Sequence, residues 1–240
     1  MIDWLRREQA DPSVEIAGQA IPLAIRRHAR ATRMTMRLAP DGNEVRITMP
    51  RWGRTAEAIA FAHGKRDWLE SQLRAMPART PPVPAGAIAY RGERLTIDWE
   101  SHHPRRPIIT GGQLQIGGPV QSLESRLRRW LCQEALTLMQ ADLAHYCDLA
   151  GKPCPDLRLS RAQRRWGSCG PDGTIRMNWR LVQAPDHVRR SVVAHEVAHL
   201  VHFDHSPAFH ALLGQLFEGD IAAANGWLKA HGRTLYATFS

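Results

Sequence analysis

The sequence predicts an α+β protein. It reads as a small mainly-β N-terminal domain with one helix, followed by a domain of helices packed on a small β-sheet. Three observations predict this. Apolar residues recur at every second position in several segments before residue 118. After residue 119 they recur at helical spacing instead. Gly117-Gly118-Pro119 separates the two regimes, so the expected domains are 1–118 and 119–240. With 240 residues and 43% hydrophobic side chains, the chain can bury a proper core in one large or two small domains.

Each element has its own signal. Ile21 to Ile25 alternates weakly. Met34, Met36 and Leu38 lie two apart, as do Val45, Ile47 and Met49, with Asp41-Gly42 as a hairpin turn between them. Thr55 is an N-cap candidate, and Ala58, Ile59, Ala62, Trp68, Leu69 and Leu73 predict an amphipathic helix over about 55–75. Pro77, Pro81, Pro82 and Pro84 form a non-helical linker. Tyr90 to Trp99 and Pro107 to Ile116 read as strand segments, the second broken by a turn at Gly111-Gly112. Leu123, Leu127, Trp130, Leu131, Ala135, Leu138 and Leu143 carry helical periodicity to about residue 149, where Gly151 and Pro153 end it. Leu157 to Leu159 reads as a short strand, and Ile175 to Val182 as another after the Asp172-Gly173 turn. A helix from Val188, one over about 207–217 and one containing Ile221 and Trp227 complete the chain.

Composition excludes some classes. Cys132, Cys147, Cys154 and Cys169 have no C-x-x-C spacing, which argues against a structural zinc knuckle and for reduced thiols. Met1 to Arg7 lacks the apolar core of a signal peptide. No stretch approaches the roughly 20 apolar residues of a membrane helix. The expectation is a soluble, cytoplasmic protein. The net charge of +9 divides as +6 before residue 118 and +3 after it. Arg26, Arg27, Arg30, Arg33 and Arg37 make the densest basic run. Contact with phosphates is one reading. Solvated arginine-rich strands are the preferred one, because no aromatic residues interleave the run.

The most informative segment is His195-Glu196-Val197-Ala198-His199, with His205 six positions on. Histidines four apart project from one helix face, and that spacing lets both bind one Zn²⁺ at about 2.0–2.1 Å. Glu196 falls roughly 100° round the helix from His195, placed to reach a metal-activated water as general base. A catalytic zinc needs three protein ligands and an open position. Ser206 is a good N-cap and Pro207 a good first helical residue, which puts His205 on a short link, free to turn back toward the metal. His202, His210 and a carboxylate from Glu218 or Asp220 compete for the third place, and spacing alone leaves the choice open.

Three segments carry a family resemblance. Arg165-Trp166-Gly167-Ser168-Cys169 resembles an (R)WGSC signature. Ile175-Arg176-Met177-Asn178-Trp179-Arg180-Leu181 resembles the I-x-x-N-x-x-L strand after it. The His195–Leu200 segment with Asp204-His205-Ser206-Pro207-Ala208-Phe209 resembles an H-E-L-x-H-L … N-H-S-x-x-F-W block. Together they resemble the YgjP-like metallopeptidases, relatives of SprT-type and WLM-type zinc peptidases. The resemblance implies a zincin-like domain, Zn²⁺ as cofactor and peptide-bond hydrolysis. It carries the ligand roles onto His195, His199 and His205 and the catalytic role onto Glu196. Val197, Asp204 and His210 depart from the pattern without removing a ligand. Asp204 is expected to accept a hydrogen bond from a ligand or a backbone group, and His210 to alter the pocket wall.

These readings predict a zinc endopeptidase acting on proteins or peptides. The Ile175–Leu181 strand is a candidate edge for β-addition of substrate, with Met177, Asn178 and Trp179 as its binding residues. The Trp166–Cys169 segment reads mainly as packing beneath the zinc helix. His210, His202, Tyr236, Arg161, Arg164 and Arg165 are candidates to hold the oxyanion. A DNA-associated protease or binding module and a zinc scaffold without turnover are the alternatives.

Overall fold

Alternation in the first stretch produces a four-stranded sheet. The structure is a computed structural model that describes residues 12–39, 42–76 and 78–239. The Met1–Arg7 segment, Asp41 of the expected turn and Pro77 of the linker lie outside them. Strands β1 (Ser13–Ile16), β2 (Gln19–His28), β3 (Thr35–Leu38) and β4 (Val45–Pro50) lie in the order β1-β2-β4-β3. Strand β1 was not expected. It enters through a turn in which Ala17 and Gly18 both take positive φ, and its alternation spans only four residues.

Val14, Ile16, Ile21, Leu23, Val45, Ile47 and Met49 bury one sheet face against Ala58, Ala62 and Leu69. The expected single helix over 55–75 is two, α1 (Thr55–His63) and α2 (Arg66–Arg74). Gly64 ends the first, and Lys65 leaves helical geometry (φ −114°, ψ 20°) before the second starts. Alternation sends Arg26, Arg37 and Arg46 to the other sheet face, where Arg37 lies directly across from Arg46.

Strands β5 (Ala87–Tyr90), β6 (Glu93–Trp99), β7 (Ile108–Thr110) and β8 (Gln113–Ile116) form a second sheet, ordered β5-β6-β8-β7. The Gly111-Gly112 turn is as expected, both glycines at positive φ. The stretch read as a strand from Tyr90 to Trp99 instead contains a hairpin turn, in which Arg91 (φ 52°) and Gly92 (φ 88°) take left-handed conformations.

Contacts divide the chain into one unit up to Ala78 and another from Arg79. The boundary read at Gly117–Pro119 therefore falls inside the second unit, for two physical reasons. Ile88, Leu95, Ile97, Leu114 and Ile116 share one core with Leu127, Leu131, Ala135 and Met139 of helix α3 (Leu123–Leu149). The tip of the β5–β6 hairpin also donates from Arg91 N–H to Val182 O (2.8 Å) and from Gly92 N–H to Gln183 O (3.1 Å).

Strands β9 (Leu157–Ser160), β10 (Gly167–Cys169) and β11 (Ile175–Asn178) make a third sheet. Here β11 lies in the middle, antiparallel to β10 and parallel to β9. The strand expected to run on to Val182 stops at Asn178. Its side chain accepts from Arg180 N–H (3.1 Å) and opens a 3-10 turn over Trp179–Gln183. Helices α4 (Asp186–Ala198), α5 (Pro207–Leu216) and α6 (Ile221–His231) follow. Arg189 on α4 is buried and bonds Asp142 of α3 at 2.7 Å, with Asp186 on its other side. That pair ties the α4 helix to the long helix beneath it.

Candidate metal centre

Helix α4 buries Val193, Ala194, Val197 and Ala198, which leaves His195 and His199 to project from its remaining face. The helix ends at Ala198, and His199 is its C-cap. His199 Nδ1 lies 3.0 Å from the carbonyl of His202. A carbonyl only accepts, so this contact assigns the proton to Nδ1 and leaves Nε2 as the ligand atom. Ser206 then caps α5, accepting from Phe209 N–H, with Pro207 in the first turn. His205 sits on the link between the two helices, and its Nε2 comes to 3.2 Å from His195 Nε2.

One ligand atom from each of His195, His199 and His205 lies within 4.8 Å of the others. Two nitrogens on one tetrahedral ion at about 2.0–2.1 Å stand about 3.3 Å apart, so the closest pair already has the right separation. Phe209 is fully buried, with ring centroids 4.9, 4.5 and 4.9 Å from those of His195, His199 and His205. It is the floor on which the three imidazoles rest. Burial, and then the neighbouring His199 and His205, push the pKa of His195 down to about 4. Its imidazole is therefore neutral at pH 7 with a lone pair to give. The donor set fits a three-histidine metal site.

Glu196 is 5% exposed, and burial pushes its carboxyl up to about 7, opposed by the Cys169 N–H and by Arg165. It rests on β10. A Cβ built on Gly167 would lie 2.7 Å from Glu196 Cγ and 2.8 Å from Cδ, so only glycine leaves room there. Asn178 N–H donates to Trp166 O, and Gly170 N–H to Thr174 O. By alternation, the backbone groups of Gly167 and Cys169 face away from β11, toward Glu196. Sequence reasoning treated Trp166–Cys169 as packing and missed this seat. The signal was present in the glycine, but its partner lies 29 positions away.

The other expectations divide. β11 has no free edge, and Met177, Asn178 and Trp179 are buried. Asn178 bonds Ala162 O and Tyr236 Oη, and Trp179 packs on Phe239. These three cannot receive a peptide by strand addition; the edge strands are β9 and β10, and β10 is the one against Glu196. Asp204 is held below the usual carboxylate range by the Ser206 hydroxyl and also accepts from the Ser206 backbone N–H, the backbone partner that was one of its two expected donors. Asp220 caps α6 and Glu218 accepts from Tyr146 Oη, which removes both as metal ligands. Tyr236 Oη is engaged with Asn178 and Ala162. His210 lines the cleft beside His195 and Glu196. Burial, and then the charges of Glu196 and Asp172, raise the pKa of the Cys169 thiol, so it is no nucleophile.

Residues 33–231 match the family described as YgjP-like, metallopeptidase domain. The chain belongs to the YgjP-like family. It is an α+β member of a metallopeptidase family, and the three histidines and the buried glutamate lie within the matched span. A comparison with curated proteins finds no match. Among solved structures, the metallopeptidase zymogen abylysin of Pyrococcus abyssi is similar at 19% identity and a TM-score of 0.35. The match covers 42% of this chain and 99% of that one. No helix among the described residues is long and apolar enough to cross a membrane.

Proposed function

We propose that this YgjP-like protein is a cytoplasmic zinc endopeptidase, with His195, His199 and His205 as ligands and Glu196 as general base. One observation carries the proposal. A carboxyl group buried beside three convergent histidines is seated against an edge strand by a glycine that leaves it no slack. Three imidazoles with an open fourth position are a catalytic zinc donor set. Zinc bound there supplies a water acidic near pH 7 and a Lewis acid for the scissile carbonyl.

The protein's own groups do the rest. Glu196 takes a proton from water and hands it to the departing amine nitrogen. The Cys169 N–H holds the carboxylate in place for both transfers. His210, exposed on the rim of the cleft, is our candidate donor for the developing oxyanion. A scaffold without turnover has no use for a carboxylate buried at this cost. Glu196→Gln should keep one zinc per chain and lose cleavage; cleavage at the wild-type rate would remove the proposal.

A second reading has its own observation. Arg26 and Arg37 on the outer face of the N-terminal sheet make no ion pair with any described residue, and exposed Trp52 lies in the turn after β4. Such a face suits a nucleic-acid backbone. A salt titration of DNA binding decides this, and no binding near 50 mM salt would end it.

A further inference from the structure

A cleft of about 280 Å³ opens beside His195 and Glu196. Drug-sized ligand sites run roughly 300–1,000 Å³, so this one has room for little more than a single side chain. Its inner walls are Trp166 from the segment before β10, Val192 from α4, Leu213 from α5, and Ile221 and Leu228 from α6. Asn225 and His210 are exposed and form a polar rim. Ser191 is buried, and its hydroxyl is spent on the Val188 carbonyl. Glu196 is the only carboxylate in the lining, and neither Lys nor Arg is among the lining residues.

The chemistry fixes which residue of a substrate the cleft receives. Glu196 delivers its proton to the amine that leaves. That nitrogen belongs to the residue immediately after the scissile bond. A cleft that Glu196 itself lines therefore lies on that residue's side of the metal. We infer that this cleft is a specificity pocket for a large apolar side chain (Leu, Phe, Met or Ile) immediately after the scissile bond. The inference rests on the peptidase reading and adds the substrate class to it. Burying such a side chain favours it over alanine by roughly 10- to 100-fold. An acidic side chain would find no cation in the walls and would meet Glu196, and is disfavoured on the order of 100-fold or more.

The test uses zinc-loaded protein and four N-phosphoryl amino-acid amides, those of leucine, alanine, lysine and aspartate. The phosphorus stands for the tetrahedral carbon, and the α-nitrogen bonded to it for the leaving amine. Calorimetry should rank leucine at least 10-fold above alanine and lysine, and alanine above aspartate. Val192→Phe and Leu228→Phe each fill the cleft from a different helix. Either, with its zinc retained, should abolish the preference for leucine while still binding the alanine analogue. Four affinities within threefold of one another, or a ranking that survives both fillings, would overturn the pocket. Graded binding without peptide cleavage by the wild type would leave the pocket standing and overturn the peptidase reading.

Discussion

Gly167→Ala tests the seat of the proposed general base, Glu196, with one methyl group. Gly167 does not take positive φ, so alanine can adopt its backbone without strain. The cost comes from Glu196 alone. The added carbon would lie 2.7 Å from Glu196 Cγ and 2.8 Å from Cδ. Carbon atoms pack at about 3.5–4.0 Å, so the carboxylate must move by about 1 Å. A misplacement of that size costs on the order of 100-fold, or about 2.7 kcal/mol of barrier. The assay is kcat/KM on a peptide substrate, with metal analysis of the same sample. Zinc should stay at one per chain, since the three atoms nearest the new methyl all belong to Glu196 and none to a histidine. Overpacking should cost about 1–3 kcal/mol of stability, read by denaturant titration. In a Glu196→Gln background the same substitution should cost no further activity. Full activity in Gly167→Ala with zinc in place would refute the argument.

Three other outcomes follow from the same structure. In metal-free protein, Glu196 at about 7 stays protonated where the unfolded carboxyl, near 4.5, does not. Its contribution therefore falls as pH rises from 4.5 to 7, by at most about 3 kcal/mol. His195 at about 4 stays neutral where the unfolded imidazole, near 6.5, binds a proton, so its contribution rises by a similar amount from pH 4 to 6.5. The two nearly cancel, and Glu196→Gln should uncover the rise in denaturant titrations across that range; equal slopes in both proteins would count against these shifts. His205→Ala should weaken zinc binding by more than roughly 100-fold in a chelator competition, beyond the roughly 10–100-fold of losing an outer-shell partner. Asp142→Ala takes one of two carboxylate partners from the buried Arg189 guanidinium and leaves Asp186, and should cost about 1–3 kcal/mol of stability in a denaturant melt.

The features legible in the sequence were those set by near neighbours. The break before α5 was readable because Ser206 and Pro207 are a local cap signal, and it placed His205 correctly. The Gly111-Gly112 turn was readable for the same reason. The hairpin at Arg91-Gly92 was not, because an arginine at positive φ gives no compositional warning and its cost is met by docking on Val182 and Gln183. The middle position of β11 was hidden because strand order depends on pairings remote in the chain. That is why Met177, Asn178 and Trp179 looked like an edge. Gly167 was visible as a glycine, but its meaning came only when α4 brought Glu196 against it.

The central claim is that Glu196 does chemistry beside a metal held by His195, His199 and His205. The most direct measurement is peptide cleavage by wild type and Glu196→Gln, each shown to carry one zinc. The account predicts equal zinc and a loss of rate on the order of 100- to 10,000-fold in the variant. Equal zinc with equal rates would contradict it.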